Sequence, residues 1–154
     1  MNTVIKDKKM FSKACEYGIK ATLYIAEQAL NTEKKIGVKD IAKQIGSPEA
    51  FTAKIMQILS RNKIVNSTKG PSGGFFIPKD QLDKIKLSQI VKAIDGDQIY
   101  RGCALGLDKC NADKPCPVHD KFKIIRDELA DMLTQTSLLE LANGLDSGLT
   151  FLKR

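Results

Sequence analysis

The chain has 154 residues, of which 42% are hydrophobic, so it can bury a core and is not a disordered protein. Its net charge of +7 is unevenly placed: residues 1–80 hold 14 Lys/Arg against 7 Asp/Glu, whereas residues 81–154 hold 11 of each. No stretch approaches the roughly 20 apolar residues that cross a bilayer and segment 1–9 has no apolar signal-peptide core, so we expect a cytoplasmic protein that is not bound to a membrane. The charge excess indicates a first half that faces a polyanion, although a basic solvated surface or a membrane surface would fit the charge as well.

The first predicted elements are helices. Residues 1–9 are expected to form a flexible basic leader. Residues 11–30 carry apolar or small side chains at helical spacing and predict an amphipathic helix. A shorter helix follows the polar break at 31–35, and its inward face consists of Val38, Ile41, Ala42 and Ile45.

A tight glycine turn separates that short helix from the next one. Gly46 can end the short helix by adopting a left-handed backbone. Ser47 suits the N-cap of the next helix and Pro48 its first turn. This helix is predicted to run to about Arg61, with inward residues Phe51, Ile55, Ile58 and Leu59 and outward residues Glu49, Thr52, Ala53 and Lys54. The pair is typical of a helix-turn-helix.

A hairpin is predicted directly after the helix-turn-helix. Segments 64–68 and 75–77 are β-prone, and the glycine-rich tip between them contains Gly70, Pro71, Gly73 and Gly74. The expected fold is therefore mainly α with a small β-hairpin wing: a winged helix-turn-helix domain over residues 10–96. Residues 87–94 predict a further short helix that Asp95-Gly96 ends.

The last third combines a cysteine-containing loop with a long helix. We expect a sensor loop at 97–119, with little regular structure up to residue 116, and a helix starting at Pro117. A narrow apolar stripe on that helix is typical of a coiled-coil seam; it consists of Val118, Phe122, Ile125, Leu129 and Met132. Region 117–142 is thus predicted to be a dimerisation helix region of a homodimer, although packing on its own domain remains an alternative. A last short helix at 137–142 and a weakly ordered tail at 143–154 complete the chain.

The predicted recognition helix starts at Pro48. An α-helix fits the major groove of B-DNA, and its first turns meet the base edges. Glu49 could accept from a cytosine amino group and Lys54 could reach guanine or a phosphate, while the wing tip would lie along the backbone or enter the minor groove. The predicted DNA contacts are Lys39, Pro48, Glu49, Phe51, Thr52, Lys54, Lys69, Gly70, Pro71 and Ser72.

The wing carries the strongest motif of the chain. Lys69-Gly70-Pro71-Ser72-Gly73-Gly74-Phe75 resembles the wing motif Arg-Gly-Pro-x-Gly-Gly-Tyr of the Rrf-type family of bacterial winged-helix regulators, which includes the iron–sulfur assembly regulator and the nitric-oxide-sensitive repressor. The resemblance covers about residues 10–142. Its other elements are Phe11-Ser12-Lys13, Tyr17-Gly18, Ile41-Ala42, Phe51 and Asp95-Gly96.

This resemblance implies a dimeric winged helix that binds partly palindromic operators. Family members often sense iron–sulfur status, nitric oxide, redox state or cysteine metabolism. Those with a cluster hold it by three cysteines of this loop and one weaker, non-cysteine ligand. Lys69 departs from the motif, since it keeps the charge of the usual Arg but loses its planar fork.

The loop pattern is Cys103-x6-Cys110-x5-Cys116-x2-His119. Thiolates are the natural ligands of iron–sulfur clusters and imidazole can complete such a site. The resemblance implies a [2Fe–2S] or [4Fe–4S] cluster with His119 as fourth ligand, or alternatively Glu16 reaching across the dimer. A zinc site of three cysteines and one histidine is a second interpretation, although these spacings are unlike paired short knuckles. A metal-free loop with inert or reversibly oxidised thiols is a third. The fourth cysteine, Cys15, is expected to be a small core residue.

The sequence therefore predicts a DNA-binding transcription regulator, a repressor or an activator, controlled by a cluster or by thiol redox state. Two alternatives remain: a metal-independent winged-helix repressor that senses a small molecule or partner protein, and a metal- or redox-binding module without DNA binding. An enzyme is not expected. Cys116 and His119 could pair as nucleophile and base, but adjacent Asp120 does not face them on a helix and no oxyanion donors are evident.

Overall fold

The computed structural model describes residues 10–153, so the expected leader at 1–9 lies outside the described residues. The fold is mainly helical with one two-stranded antiparallel sheet, which confirms the predicted winged-helix class. The helices are α1 Lys13–Asn31, α2 Val38–Ile45, α3 Glu49–Arg61, α4 Leu87–Asp95, α5 Gln98–Arg101, α6 His119–Gln135 and α7 Leu138–Asp146, and the strands are β1 Asn66–Thr68 and β2 Gly74–Phe76. Within the described range, no helix is both long and apolar enough to span a bilayer.

Helix α1 is the centre of the packing, because it contacts α2, α3, α4 and α7. Its N-cap is Ser12, whose hydroxyl accepts from the Cys15 N–H at 3.0 Å. The Asp95 carboxylate at the end of α4 in turn accepts from the Ser12 N–H at 2.9 Å and from the Ser12 hydroxyl. The start of the central helix is thus tied to the end of α4, and both residues belong to the motifs that carried the family resemblance.

The predicted helix-turn-helix is present. Gly46 ends α2 in the left-handed conformation at φ 67°, where a glycine has no Cβ to clash. The predicted N-cap is wrong by one residue: Pro48 occupies the cap position, and the Ser47 hydroxyl lies 3.5 Å from the Pro48 carbonyl instead of accepting from a helix N–H. The Pro48 carbonyl takes the first helical bond, from the Thr52 N–H at 2.9 Å.

The wing is a hairpin in which Asn66 pairs with Phe76 and Thr68 with Gly74. A third segment joins it, since Ile36 and Phe75 exchange backbone hydrogen bonds of 2.8 and 2.9 Å. This close approach explains the glycines. Gly74 has φ 147°, and a Cβ added there would lie 2.8 Å from the Ile36 carbonyl oxygen.

The C-terminal third departs from the prediction at three places. One helical turn, α5, forms at the start of the segment expected to be irregular. Helix α6 begins at His119 rather than Pro117, after an N-cap at Val118. Helix α7 continues to Asp146, and Leu145 and Leu152 pack on the main core, so the segment expected to be a weakly ordered tail is partly built into the domain.

Because Gly74 combines a positive φ angle with a close approach to the Ile36 backbone, we predict that Gly74→Ala lowers the free energy of unfolding by on the order of 2 kcal/mol. Denaturant unfolding measures the change. Gly37→Ala is the control, since Gly37 has φ −75° and open space around its Cβ position. Equal stability of the two variants would contradict this account of the wing.

Candidate DNA-binding surface and cysteine site

The first turn of α3 presents a polar surface to solvent. Pro48, Glu49 and Lys54 are all exposed, as expected of residues that meet DNA. The expectation that Thr52 points outward is wrong: Thr52 is fully buried and its hydroxyl donates to the Pro48 carbonyl at 2.9 Å. Thr52 lies three residues before buried Ile55 and so shares its inward face, where the local bond satisfies the hydroxyl.

Phe51 belongs partly to the core. Its ring packs edge-on against Tyr17 of α1, with centroids 5.8 Å apart, and it is half-buried. This agrees with its predicted inward direction and shows how α3 is fixed on α1. Contact of Phe51 with DNA remains a prediction.

The remaining predicted DNA contacts lie on the same chain half and are exposed. Lys39 is exposed in the first turn of α2. The wing tip, defined as residues 69–72, is exposed throughout, and Gly70 there has φ 99°. A short recognition helix and an adjacent projecting hairpin thus carry the exposed cations Lys54 and Lys69.

Cys103 sits in a ring of backbone donors. Hydrogen bonds from the backbone N–H groups of Leu107 and Leu105 lower the pKa of the Cys103 thiol, and weaker contributions come from the Cys116 side chain and the Gly106 N–H. The backbone forms a turn here, in which the Gly106 N–H donates to the Cys103 carbonyl at 3.0 Å and Gly106 has φ 74°. This turn directs the N–H groups toward the Cys103 sulfur. Such N–H···S contacts stabilise a thiolate, the form that binds metals and reacts.

Cys110 and His119 form a second pair. The Cys110 Sγ lies 3.2 Å from the His119 Nδ1, and His119 is 8% exposed. As the spacing predicted, the start of α6 brings His119 beside Cys116, whose carbonyl accepts the His119 N–H at 3.0 Å. The imidazole ring, however, contacts Cys110 rather than the nearer cysteine in sequence.

The four predicted ligands are therefore held as two pairs, Cys103 with Cys116 and Cys110 with His119. Within residues 10–153, no group of three or more His, Cys, Asp or Glu side chains is gathered as around a metal ion. All four cysteines of the chain are free thiols. The donor chemistry nevertheless fits a cluster, because three thiols and an imidazole lie in one short segment among N–H donors to sulfur.

The alternative ligand, Glu16, lies in the first turn of α1. It forms an ion pair with Lys13 at 3.4 Å. The contact across a dimer that the resemblance implies remains a prediction.

The fourth cysteine is a core residue, as predicted. Cys15 is fully buried and packs with Val91 and Leu133. Burial, followed by the Asp95 carboxylate and its hydrogen bond to the thiol, raises the pKa of Cys15 to about 12. Cys15 therefore stays a neutral thiol at physiological pH.

Sequence reasoning missed Arg126. Its Nη2 donates to the Cys110 Sγ at 3.0 Å and its Nη1 to the Gly102 carbonyl at 2.7 Å. Arg126 lies two helical turns after His119 and so on the same face of α6. A basic residue at this spacing was the available signal.

Residues 11–144 match the Rrf2 family, which is described as iron-dependent transcriptional regulators. The chain belongs to the Rrf2 family. An HTH-type transcriptional regulator of Aquifex aeolicus is 35% identical over 136 residues, which cover 87% of this chain and 92% of that protein. The HTH-type transcriptional regulator IscR of Escherichia coli is 27% identical over 128 residues, 82% of this chain and 76% of its own. These relatives are named as transcriptional regulators, which are not enzymes. The family assignment therefore confirms the expectation of a regulator rather than an enzyme.

Solved structures support the fold. The global cysteine regulator CymR of B. subtilis superposes with a TM-score of 0.70 at 21% identity, covering 86% of this chain and 95% of CymR. IscR of T. potens gives a TM-score of 0.69 at 16% identity, over 91% and 90% of the two chains. At these identities the likeness concerns the winged-helix architecture alone.

Proposed function

We propose that this Rrf2-family regulator is a homodimeric, cytoplasmic repressor that reads a double-stranded DNA operator and is controlled by its cysteine loop. The observation that carries the DNA-reading part is the coincidence of fold and charge. The exposed start of α3 and the wing tip both lie in residues 1–80, the half that holds the whole positive excess. A reading helix and a backbone-contacting hairpin on a basic surface are what a winged-helix DNA reader needs.

In this proposal α3 enters the major groove and the wing follows the backbone. Lys54 contacts a guanine edge or a phosphate, and Glu49 accepts from a cytosine amino group. Lys39 and Lys69 neutralise phosphates, while the wing-tip glycine lets the main chain come close to the backbone. Buried Thr52 is left out of this surface.

The dimer part of the proposal is supported by the apolar stripe on α6. Phe122 is 41%, Ile125 59% and Met132 46% exposed in the single chain, although the adjacent face of the helix buries Leu133 against the domain. Leu129 of the same stripe packs on the cluster of Cys15, Val91 and Leu133, but half-exposed large apolar residues along one helix are typical of a surface that a partner covers. A second copy of the chain is the partner that the family fold implies.

The control part rests on the donor set of the loop. Cys103, Cys110 and Cys116, with His119 as the fourth ligand, would hold a [2Fe–2S] or [4Fe–4S] cluster, or the thiols would act by reversible oxidation. A bound cluster supplies a redox- and iron-sensitive centre whose properties depend on the N–H donors around its sulfur ligands. The description of the family as iron-dependent supports this choice.

A groove at the base of the wing favours a second candidate, a repressor that senses a small molecule. It measures about 750 Å³, within the usual size of ligand sites. Apolar Ile25 and Leu30 line it together with Phe76, over whose ring the Lys35 Nζ lies at 5.6 Å. Phe76 is part of β2, so an occupant would touch the wing directly. Replacing the three loop cysteines by serine separates the two candidates. If the cysteine loop is the sensor, DNA binding no longer responds to iron or thiol oxidants in this variant. If the groove is the sensor, the replacement leaves the response to its ligand intact.

We predict that Lys54→Ala and Lys69→Ala weaken binding to duplexes selected from a random library. Log affinity falls as log salt rises, and each lost phosphate contact makes this negative slope shallower by about 1. Fluorescence anisotropy between low and physiological salt measures the slope. Lys84→Ala, an exposed lysine outside α3 and the wing, serves as control. Binding that ignores salt and both substitutions would contradict the proposed surface.

We predict that Ile125→Glu dissociates the dimer, because a carboxylate in the centre of the stripe loses hydration when the seam forms. Sedimentation equilibrium measures the mass. Ile124→Glu is a close control, since Ile124 is 63% exposed but lies off the stripe. A dimer that survives Ile125→Glu and breaks with Ile124→Glu would place the interface elsewhere.

We predict that protein purified without oxygen shows visible absorption with bound iron and sulfide. His119→Ala is expected to lose most of the iron, because the buried imidazole already contacts Cys110, whereas Glu16→Ala retains it. Cys15→Ala, a core cysteine outside the loop, is the control for general damage. Colourless, iron-free wild-type protein would overturn the cluster, and full retention in both variants would exclude both residues as essential ligands.

A further inference from the structure

Arg126 contacts two separate points of the cysteine loop with one guanidinium group. Its Nη1 donates to the Gly102 carbonyl at 2.7 Å, with a longer bond of 3.5 Å to the Arg101 carbonyl. Its Nη2 donates to the Cys110 Sγ at 3.0 Å. Gly102 is the C-cap of α5 and directly precedes Cys103. The side chain thus joins both ends of the 103–110 segment to helix α6.

The third nitrogen of the guanidinium group, Nε, has no hydrogen-bond partner in the part of the chain that the structure describes. This nitrogen is buried. In the planar guanidinium, the Nε–H and one Nη2 N–H point in the same direction and form the edge that binds two acceptors side by side. The Nη2 nitrogen of this edge donates to the Cys110 sulfur, and its neighbour Nε has no acceptor among residues 10–153.

A buried donor without an acceptor is rare in folded proteins. Because Nη2 and Nε are neighbours in one plane, an acceptor that binds the Nε–H would lie near the Cys110 sulfur. The acceptors that can reach this place are an ordered water or an atom of whatever Cys110 binds. A cluster held by Cys110 would supply anionic sulfide, which would accept such an N–H donor.

We propose that Arg126 is the positioning residue of the cysteine site: it clamps the loop through Gly102 and Cys110, and its Nε–H donates to a cluster sulfide beside Cys110. The sulfide contact rests on the proposed cluster, whereas the clamp does not. Arg126 is adjacent in sequence to Ile125 of the apolar stripe. Gain or loss of the sulfide acceptor therefore changes the hydrogen bonding of the helix that carries the proposed dimer seam.

Two variants separate the charge of Arg126 from its geometry. Arg126→Met removes both, whereas Arg126→Lys keeps the charge and cannot span Gly102 and Cys110. Lys123→Met is the matched control, because Lys123 is an exposed cation one turn earlier on α6 that pairs with Asp127. Circular dichroism first establishes that each variant is folded.

The clamp is tested on metal-free protein by hydrogen exchange of the peptide covering 97–116. Both Arg126 variants are expected to exchange about tenfold faster than wild type, since one charge-assisted contact no longer holds each end of the segment. Lys123→Met exchanges like wild type. Unchanged exchange in Arg126→Met overturns the clamp.

The sulfide contact is tested after reconstitution with ferrous iron and sulfide, by spectroscopic redox titration. Arg126→Met is expected to have a lower reduction potential than wild type, because a cationic donor stabilises the more negative reduced cluster, and Arg126→Lys an intermediate one. Equal potentials in wild type and Arg126→Met overturn the contact. If the wild-type protein takes up no iron and sulfide, the proposed cluster is refuted and the Nε contact with it. The hydrogen-exchange result then still decides whether Arg126 clamps the loop.

Discussion

The structure depends on the junction at the first turn of α1. There the Asp95 carboxylate accepts two hydrogen bonds from Ser12, and Ser12 in turn caps the helix on which α2, α3, α4 and α7 pack. A capping bond of this kind contributes about 1 kcal/mol, but its position gives it a wider effect. Fixing the start of α1 fixes the platform that holds the recognition helix, and it fixes the residue, Asp95, from which the chain departs toward the cysteine loop.

The same junction receives α6 from the other side. Leu133 near the end of α6 is fully buried with Cys15, one turn into α1, and Val91 of α4. Neutral Cys15 donates its proton toward Asp95, which is consistent with its raised pKa. One small cluster therefore holds together the DNA-reading part and the long helix, and apolar packing against a buried thiol keeps that contact insensitive to physiological pH.

Local patterns predicted the elements whose causes are local. Gly46 ends α2 because only a left-handed residue closes that turn, and the wing glycines sit where the backbone of Ile36 approaches. The outward direction predicted for Thr52 is wrong because its hydroxyl donates to the Pro48 carbonyl, and this local bond allows a polar side chain to be buried. The order of the segment after Ala142 was missed because it comes from Leu145 and Leu152 packing on a core made of distant residues. In the cysteine site, spacing places His119 near Cys116 and Arg126 on the same face of α6 as His119, but the partners that they contact, Cys110 and Gly102, are set by the tertiary fold of the loop.

These contacts give α6 two ends with different chemistry. Its N-terminal half carries His119 and Arg126 into the cysteine loop, and its C-terminal half is anchored by Leu133 in the α1–α4 cluster, with the apolar stripe running along the neighbouring face. A helix packed into a core at one end and hydrogen-bonded to sulfur at the other can respond to a change at the sulfur by moving its N-terminal half about the packed end. The stripe residues Phe122 and Ile125 lie in that half. In the proposed dimer, a change at the cysteine site would therefore act on the seam between protomers, and the spacing of the two recognition helices would follow from the seam.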